Sequence, residues 1–272
     1  MKKIQIPILT FVVIFTTTLT NAQSFAETYI GYNITFDSGD WATTQSITGT
    51  STTNSNQKVA WGKGIEPGVA VGYMMNENIG AKVGFSYLFG GVTKLVSTSP
   101  GATFTTELSA KMLKINPSLI LQTECEKLSI NPYARFGLLF GIGRITELTT
   151  DKYKNGNMDM TDIEKFKTSG GLGFGFAGAF GVKYNINSKI GFFAELNANN
   201  MVFAPKKGEI TEFSQNGVDK LSTLSTSQKE FIYTEKITIA SPPPPATEPT
   251  NLLTPHHDFG GIGIIAGVNV RW

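Results

Sequence analysis

Eight segments of this chain alternate large apolar residues with small or polar residues at every second position. Successive side chains of a β-strand point to opposite faces, so a period of two predicts strands. The alternation is clearest in 79–90, 130–143, 172–184 and 260–272. It is weaker in 25–36, 61–74, 107–122 and 190–201. In 172–184 the large face carries Leu172, Phe174, Phe176, Phe180, Val182 and Tyr184.

The connections between these segments alternate in length. Three are short and polar, at 75–78, 123–127 and 185–189. Four are long, near 37–60, 91–106, 145–168 and 202–255. Strands of about 12 to 16 residues are long enough to cross a bilayer, and short turns opposite long loops are typical of outer-membrane barrels. The pattern predicts an all-β fold, an eight-stranded antiparallel transmembrane up-and-down β-barrel with four long extracellular loops.

Charged residues occur on the small-residue face of most predicted strands. A lipid-facing Lys or Arg at the membrane midplane costs about 2 to 4 kcal/mol, so this face is expected to point into the lumen. The predicted lumen charge network consists of Glu66, Lys82, Lys114, Arg135, Lys183, Glu195 and Arg271. It either gates or plugs the barrel, or it is a polar filling of an interior too narrow to conduct. Arg135 with Glu195 is the favoured ion pair, and the small residues of this face are expected to leave room in the lumen.

Three prolines fall inside predicted strands, where each removes a ladder donor. Pro67, Pro117 and Pro132 are therefore expected at bulges or strand ends.

The first residues have the composition of a secretory leader. Lys2 and Lys3 precede a short apolar stretch at 8–15, and Asn21-Ala22-Gln23 offers a small-residue cleavage region. Residues 1–23 are predicted to be a signal peptide, and 24–272 the exported barrel domain.

The remaining composition argues against several classes of function. Without the leader, 21 basic and 21 acidic residues remain, which disfavours nucleic acid as a partner. The single cysteine, Cys125, excludes an intramolecular disulfide, and its acidic neighbours disfavour an activated thiol. His256 and His257 are adjacent, so in a strand they point apart and chelate a metal poorly. No Gly-x-Ser-x-Gly element is present. The alternating glycines of 171–175 indicate a strand face and not a phosphate loop. We therefore expect no enzyme, no cofactor and no metal site.

The leader, the eight amphipathic segments and a last segment ending Gly-Val-Asn-Val-Arg-Trp resemble a known family. They are similar to the small outer-membrane β-barrel proteins of Gram-negative bacteria, the OmpA/OmpX/OmpW-like barrels and the related porin-family domain. The resemblance implies residence in the outer membrane, with lipid and the barrel-assembly machinery as partners. It also implies that the last strand carries the assembly signal, at Ala266, Val268, Val270 and Trp272. A terminal Trp departs from the family's usual Phe.

Four functions remain open at this level. The first is a structural, adhesive or surface-recognition protein that meets an extracellular ligand or host surface through 37–60 and 202–255. There the run at 241–245, Ser followed by four prolines, is either a stiff recognition segment or a solvated loop. The second is a narrow porin for small solutes or ions. The third, a secreted lipocalin-like carrier, would need an apolar interior and a charged exterior. The fourth is a membrane-embedded barrel enzyme, which the missing catalytic motif disfavours.

Overall fold

The computed structural model describes residues 23–35, 40–48, 51–59, 61–123, 130–237 and 245–272. The predicted signal peptide lies outside them except for its last residue, and so do Cys125 and most of the proline run. The described residues form a single sheet of 17 strands. These are β1 (Gln23–Ile34), β2 (Asp40–Thr48), β3 (Ser51–Lys58), β4 (Gly64–Met74), β5 (Ile79–Gly90), β6 (Thr93–Ser99), β7 (Ala102–Gln122), β8 (Ile130–Asn155), β9 (Met158–Ser169), β10 (Leu172–Asn185), β11 (Ile190–Ala204), β12 (Lys207–Gln215), β13 (Val218–Asp219), β14 (Glu230–Thr234), β15 (Thr250–Leu253), β16 (His257–Asp258) and β17 (Gly261–Arg271).

Eight of these strands pair in a closed ring. Following the ring, β1 pairs with β4, then come β5, β7, β8, β10, β11 and β17, and β17 returns to β1. Every pairing in the ring is antiparallel. Closure leaves no strand edge with unpaired backbone groups, which a sheet in hydrocarbon requires.

The sheet continues beyond the ring at the end that carries the long connections, called here the long-connection end. There β7 and β8 extend past the ring, and β6 and β9 pair with these extensions. Beyond β9 the sheet adds β12, β14 and β15, and beyond β6 it adds β2 and β3. Nearly all pairings are antiparallel, the exceptions being β14 with β15 and β2 with β6.

The sequence predicts long loops here, with strands extended beyond the membrane only in 211–240. The described parts of 37–60, 91–106, 145–168 and 202–255 contain strands, many of them in long hairpins. The physical reason is that both faces of such hairpins meet water over much of their length. Their strands therefore carry polar residues on both sides, and the apolar alternation that marks the ring strands is missing.

The outer surface of the ring is apolar. Ile30, Phe136, Phe180 and Ile264 are each about three-fifths exposed, while alternate residues on the same strands are buried. The inner face is the small-residue face, as the phase of the alternation predicts. A secreted carrier would show the opposite arrangement, with a charged exterior. The two short helices within the described residues, Leu221–Thr223 and Thr226–Lys229, are neither long nor apolar enough to cross a membrane.

Two of the three prolines within strands do not form the bulges that the sequence predicts. Pairing between β4 and β5 lapses at Pro67, and pairing between β7 and β8 lapses at Pro117, yet the register is the same on both sides of each gap. A strand thus tolerates the missing donor by losing two adjacent residue pairs of the ladder without inserting a residue. Pro132 lies two residues from the start of β8, at the strand end that the sequence predicts.

Candidate functional site

The charges predicted to face the lumen meet in the middle of the ring. Glu195 on β11 is the centre of one group. Its carboxylate accepts hydrogen bonds from Arg135 Nε at 2.9 and 3.0 Å and from Nη2 at 2.7 Å. The Tyr133 hydroxyl donates to Glu195 Oε1 at 2.7 Å. The strand between them, β10, places Gly181 opposite both Tyr133 and Glu195, and the missing side chain leaves the space in which they meet.

A second group forms around Glu27 on β1, a residue that the predicted network lacks. Lys82 Nζ lies 2.7 Å from Glu27 Oε2, and Lys183 Nζ lies 3.3 Å from Oε1. Lys82 also lies 3.4 Å from Glu195 Oε1, which joins the two groups. In β1 the outward residues Ile30 and Tyr32 lie at even positions, whereas Glu27 lies at an odd position. The alternation of β1 therefore indicates that Glu27 faces the lumen.

The third group surrounds Glu66 on β4. Lys114 Nζ lies 2.8 Å from Glu66 Oε2, the Ser86 hydroxyl donates to Oε1 at 2.6 Å, and the Asn33 amide also donates to the carboxylate. The seven ionised side chains of the three groups are 13% exposed or less. Charges this deeply buried are stable only when paired and hydrogen-bonded, as they are here.

The structure leaves one predicted member apart from these groups. Arg271 lies at the end of the ring that carries the short turns. Its Nη2 donates to Asn185 at 2.8 Å, and its Nε donates to Asn269 at 3.1 Å. Asn269 in turn donates to Glu27 at 3.2 Å, so this amide links Arg271 to the second group. We use the term ion network for the seven side chains of the three groups, Glu27, Glu66, Lys82, Lys114, Arg135, Lys183 and Glu195.

Large apolar side chains close the ring on both sides of the ion network. The cluster towards the long-connection end includes Trp61, Met112, Phe203 and Phe259. The cluster towards the short-turn end contains Phe25, Met74, Ile120, Tyr133, Phe193 and Ile265. A cavity of about 10 Å³ remains between them, bounded by Lys82, Arg135 and Glu195 among others. The small inward residues leave little open space, because the room beside glycines such as Gly68 and Gly72 is filled by Tyr29 and Phe25 from the neighbouring strand.

The extension beyond the ring has a different charge pattern. The face of the β8–β9 hairpin that continues the lumen side carries Glu147, Asp151, Asp162 and Glu164, and we call it the acidic face. The opposite face carries the basic residues Arg144, Lys152, Lys154, Lys165 and Lys167. Burial raises the pKa of Glu147 and Glu164, and a nearby carboxylate raises each further. Sequence reasoning missed this segregation, although the alternation of charge signs in 144–168 is visible.

The histidine pair behaves as its spacing predicts. His257 is 5% exposed and packs edge-on against Trp61, with ring centroids 5.1 Å apart, whereas His256 is exposed. Burial lowers the pKa of His257 to about 4, and the neighbouring His256 adds to the shift. Within the described ranges, no group of three or more His, Cys, Asp or Glu side chains is arranged to hold a metal ion.

The predicted assembly signal lies on the outward face of β17. Ala266 and Val270 are exposed, Val268 is half-buried, and Trp272 is 68% exposed just past the strand end. The Trp272 backbone N–H donates to the Ser24 carbonyl at 3.1 Å, so the last residue is held beside the first strand.

Comparison with known proteins gives one family. The model of the outer membrane protein beta-barrel domain matches residues 8–219. Among solved structures, Neisserial surface protein A is 13% identical with a TM-score of 0.30, covering 92% of this chain and 97% of that one. Acinetobacter baumannii CarO2 is 12% identical with a TM-score of 0.34, covering 92% and 98%. Acinetobacter baumannii CarO is 10% identical with a TM-score of 0.34, covering 91% and 97%. The curated proteins contain no match to this sequence.

Proposed function

The chain belongs to the outer membrane protein beta-barrel domain family, and from that premise we propose that it is a filled barrel acting in surface recognition. It resides in the outer membrane of a Gram-negative bacterium. In this proposal the eight-strand ring spans the membrane as an up-and-down barrel. The sheet extension at the long-connection end projects outside the cell and meets a ligand or a host surface.

The packed interior is the observation that carries the proposal. A cavity of about 10 Å³ is at the lower limit of what one water molecule needs, and a hydrated ion needs far more. A solute would also have to pass both apolar clusters and separate buried ion pairs such as Lys82–Glu27. Separating a buried pair costs several kcal/mol, so spontaneous opening is rare. These features favour a structural filling over a conducting pore.

The outer surface and strand lengths support the membrane-spanning part. The ring strands have at least 11 residues, against the roughly 9 to 11 that a tilted strand needs to cross a bilayer. Exposed apolar side chains cover the outside of the ring, and large exposed apolar surfaces mark contacts with lipid or protein.

The extension supports the recognition part. It is a paired sheet built on β7 and β8, so the closed ring holds its residues in fixed positions. Binding residues are commonly found on segments that a rigid scaffold positions in this way. The two faces of its β8–β9 hairpin differ in charge, which offers different chemistry on each side.

Single-channel recording in planar bilayers tests the filled barrel. Mature protein is refolded in detergent, checked for a heat-dependent shift in gel mobility, and reconstituted. We expect no conductance steps. Discrete steps whose ion selectivity changes in Arg135→Ala, but not in the control Lys94→Ala on the extension, would identify the narrow porin instead.

Whole-cell labelling tests the orientation. In a Cys125→Ser background, a membrane-impermeant maleimide should label Lys154→Cys at the tip of β8 and leave Asn187→Cys in a short turn unlabelled. Labelling of Asn187→Cys alone would contradict recognition by the extension.

A further inference from the structure

An open cavity lies where the extension joins the ring, and we call it the mouth cavity. It has a volume of about 340 Å³ and lies between the β8–β9 hairpin and the segment 252–257. Its apolar wall includes Ile145, Phe166 and Leu252, and Ile145 also belongs to the buried apolar cluster below. Pockets for small molecules begin at about 300 Å³, so the mouth cavity is large enough for a small organic ligand.

Two polar side chains of the mouth cavity have no partner among the residues that the structure describes. The Thr168 side chain is 6% exposed, and its hydroxyl has no hydrogen-bond partner within the part of the chain that the structure describes. Glu147 lies one strand away and forms no ion pair with any described residue. A buried hydroxyl and a half-buried carboxylate without partners both cost free energy, which a ligand with hydrogen-bond donors would recover.

The mouth cavity is lined by one carboxylate, Glu147, and by no Lys or Arg among the described residues. Burial lowers the pKa of His257 to about 4, so this ring is neutral at pH 7. Tyr233 is also neutral there, since burial and the charge of Glu147 raise its pKa. Burial raises the pKa of Glu147, and the nearby Glu164 raises it further, whereas an ammonium group beside this carboxylate would favour its ionised form. The basic residues of this hairpin, including Arg144 and Lys167, lie on the opposite face and line a separate groove.

We propose that the mouth cavity binds a small organic amine with an apolar body. The ammonium group would lie against Glu147 and donate to the Thr168 hydroxyl, while a body the size of a hexyl chain or phenyl ring would pack on Ile145, Phe166 and Leu252. An anion of the same shape is disfavoured by both carboxylates. The inference rests on the proposed function at one point, because the cavity opens to the medium outside the cell only when the extension projects there.

Trp61 is a built-in reporter for this test, because its ring contacts His257 in the cavity wall. In a W41F/W272F background, Trp61 is the sole tryptophan of the folded protein. Hexylamine, hexanol and hexanoate are titrated separately while Trp61 fluorescence is followed. We expect a saturable response to hexylamine, a response to hexanol weaker by about tenfold or more, and none to hexanoate, because hydrogen bonds to charged groups contribute about 1.5 to 3 kcal/mol.

Two variants assign the effect to the cavity. Glu147→Gln should bring hexylamine affinity down to that of hexanol. Glu209→Gln, on the outward side of β12, changes the net charge equally and should leave the preference for the amine intact. Because all variants are measured in the same detergent, partition of hexylamine into micelles is common to all of them.

The possible failures are distinguishable. A folded, non-conducting barrel without a saturable amine response, or with equal responses to amine and alcohol, overturns the inference alone. The same holds if Glu147→Gln retains the preference for the amine. Conductance steps accompanied by normal amine binding overturn the filled barrel and leave the inference standing.

Discussion

Replacing Glu195 by glutamine keeps the size of the side chain and removes the charge that holds the centre of the ion network. Arg135 donates three hydrogen bonds to this carboxylate, and Lys82 lies 3.4 Å from it. In Glu195→Gln the Tyr133 hydroxyl can still donate to the amide oxygen. The guanidinium of Arg135, however, loses its only ionic partner among the described residues.

The expected cost follows from burial. Removing one partner of a buried ion pair leaves an uncompensated charge and destabilises by about 3 to 5 kcal/mol. An exposed pair on the same molecule provides the control, because Lys94 and Glu107 are 3.8 Å apart with side chains 58% and 40% exposed. Exposed pairs contribute about 0 to 1 kcal/mol, so Glu107→Gln should change the free energy of unfolding by less than about 1 kcal/mol.

Reversible urea unfolding in lipid vesicles, followed by tryptophan fluorescence and by gel mobility without heating, measures both variants. Arg135→Met combined with Glu195→Gln should recover part of the loss, because the stranded cation is then removed as well. A coupling energy of about 0.5 to 3 kcal/mol is typical of residues in one network. If Glu195→Gln costs no more than Glu107→Gln, the lumen charges are solvated and the filled interior is refuted.

Three further predictions concern packing, pH and assembly. In Gly175→Ala the new Cβ would overlap the Asn200 carbonyl, so we expect a loss of about 1 to 3 kcal/mol, while Gly178→Ala on the same strand has ordinary contacts and should be nearly neutral in the same unfolding assay. The pKa of His257 falls from 6.5 to about 4 on folding, so the unfolded chain binds the proton more tightly. The contribution of His257 to stability should therefore be nearly complete above pH 6.5 and fall by about 3 kcal/mol as the pH is lowered to 4. This fall should shrink in His257→Asn in urea titrations across the same range. Trp272→Ala should lower the amount of heat-modifiable protein in cells several-fold while leaving the refolded protein's unfolding curve almost unchanged, since Trp272 is largely exposed; an equal loss in both assays would contradict an assembly role.

The ring strands were predictable because their environment is the same along their length. One face meets an apolar exterior and the other meets the packed lumen, so large and small residues must alternate. The predicted segment 79–90 coincides with β5, and 172–184 differs from β10 by one residue. The inward direction of the charges followed from the cost of placing them in lipid.

The contents of the lumen could not be obtained in the same way. Which inward side chains meet depends on the relative heights of strands, and alternation within one segment carries no information about register. The partner of Lys183, for example, is Glu27, on a strand separated from β10 by two others in the ring. The apolar clusters could not be predicted for the same reason. An inward glycine indicates free space, but it does not indicate which aromatic side chain of a neighbouring strand fills that space.

The two charge patterns of this protein follow from two different environments. In the ring, every buried cation must lie near a carboxylate, because in a low-dielectric interior an unpaired charge costs more than most single interactions supply. The extension is under no such constraint, and there Asp151 lies directly opposite Asp162, while Lys111 lies opposite Arg144 where the extension joins the ring. Like charges in opposed positions are destabilising, by a fraction of a kcal/mol in water. A segregation that weakens the sheet brings no gain in folding stability, which is consistent with the surface-recognition role proposed above. If the proposed recognition role holds, the sign pattern of the β8–β9 hairpin, and not the ion network, would determine which charged ligands the extension binds.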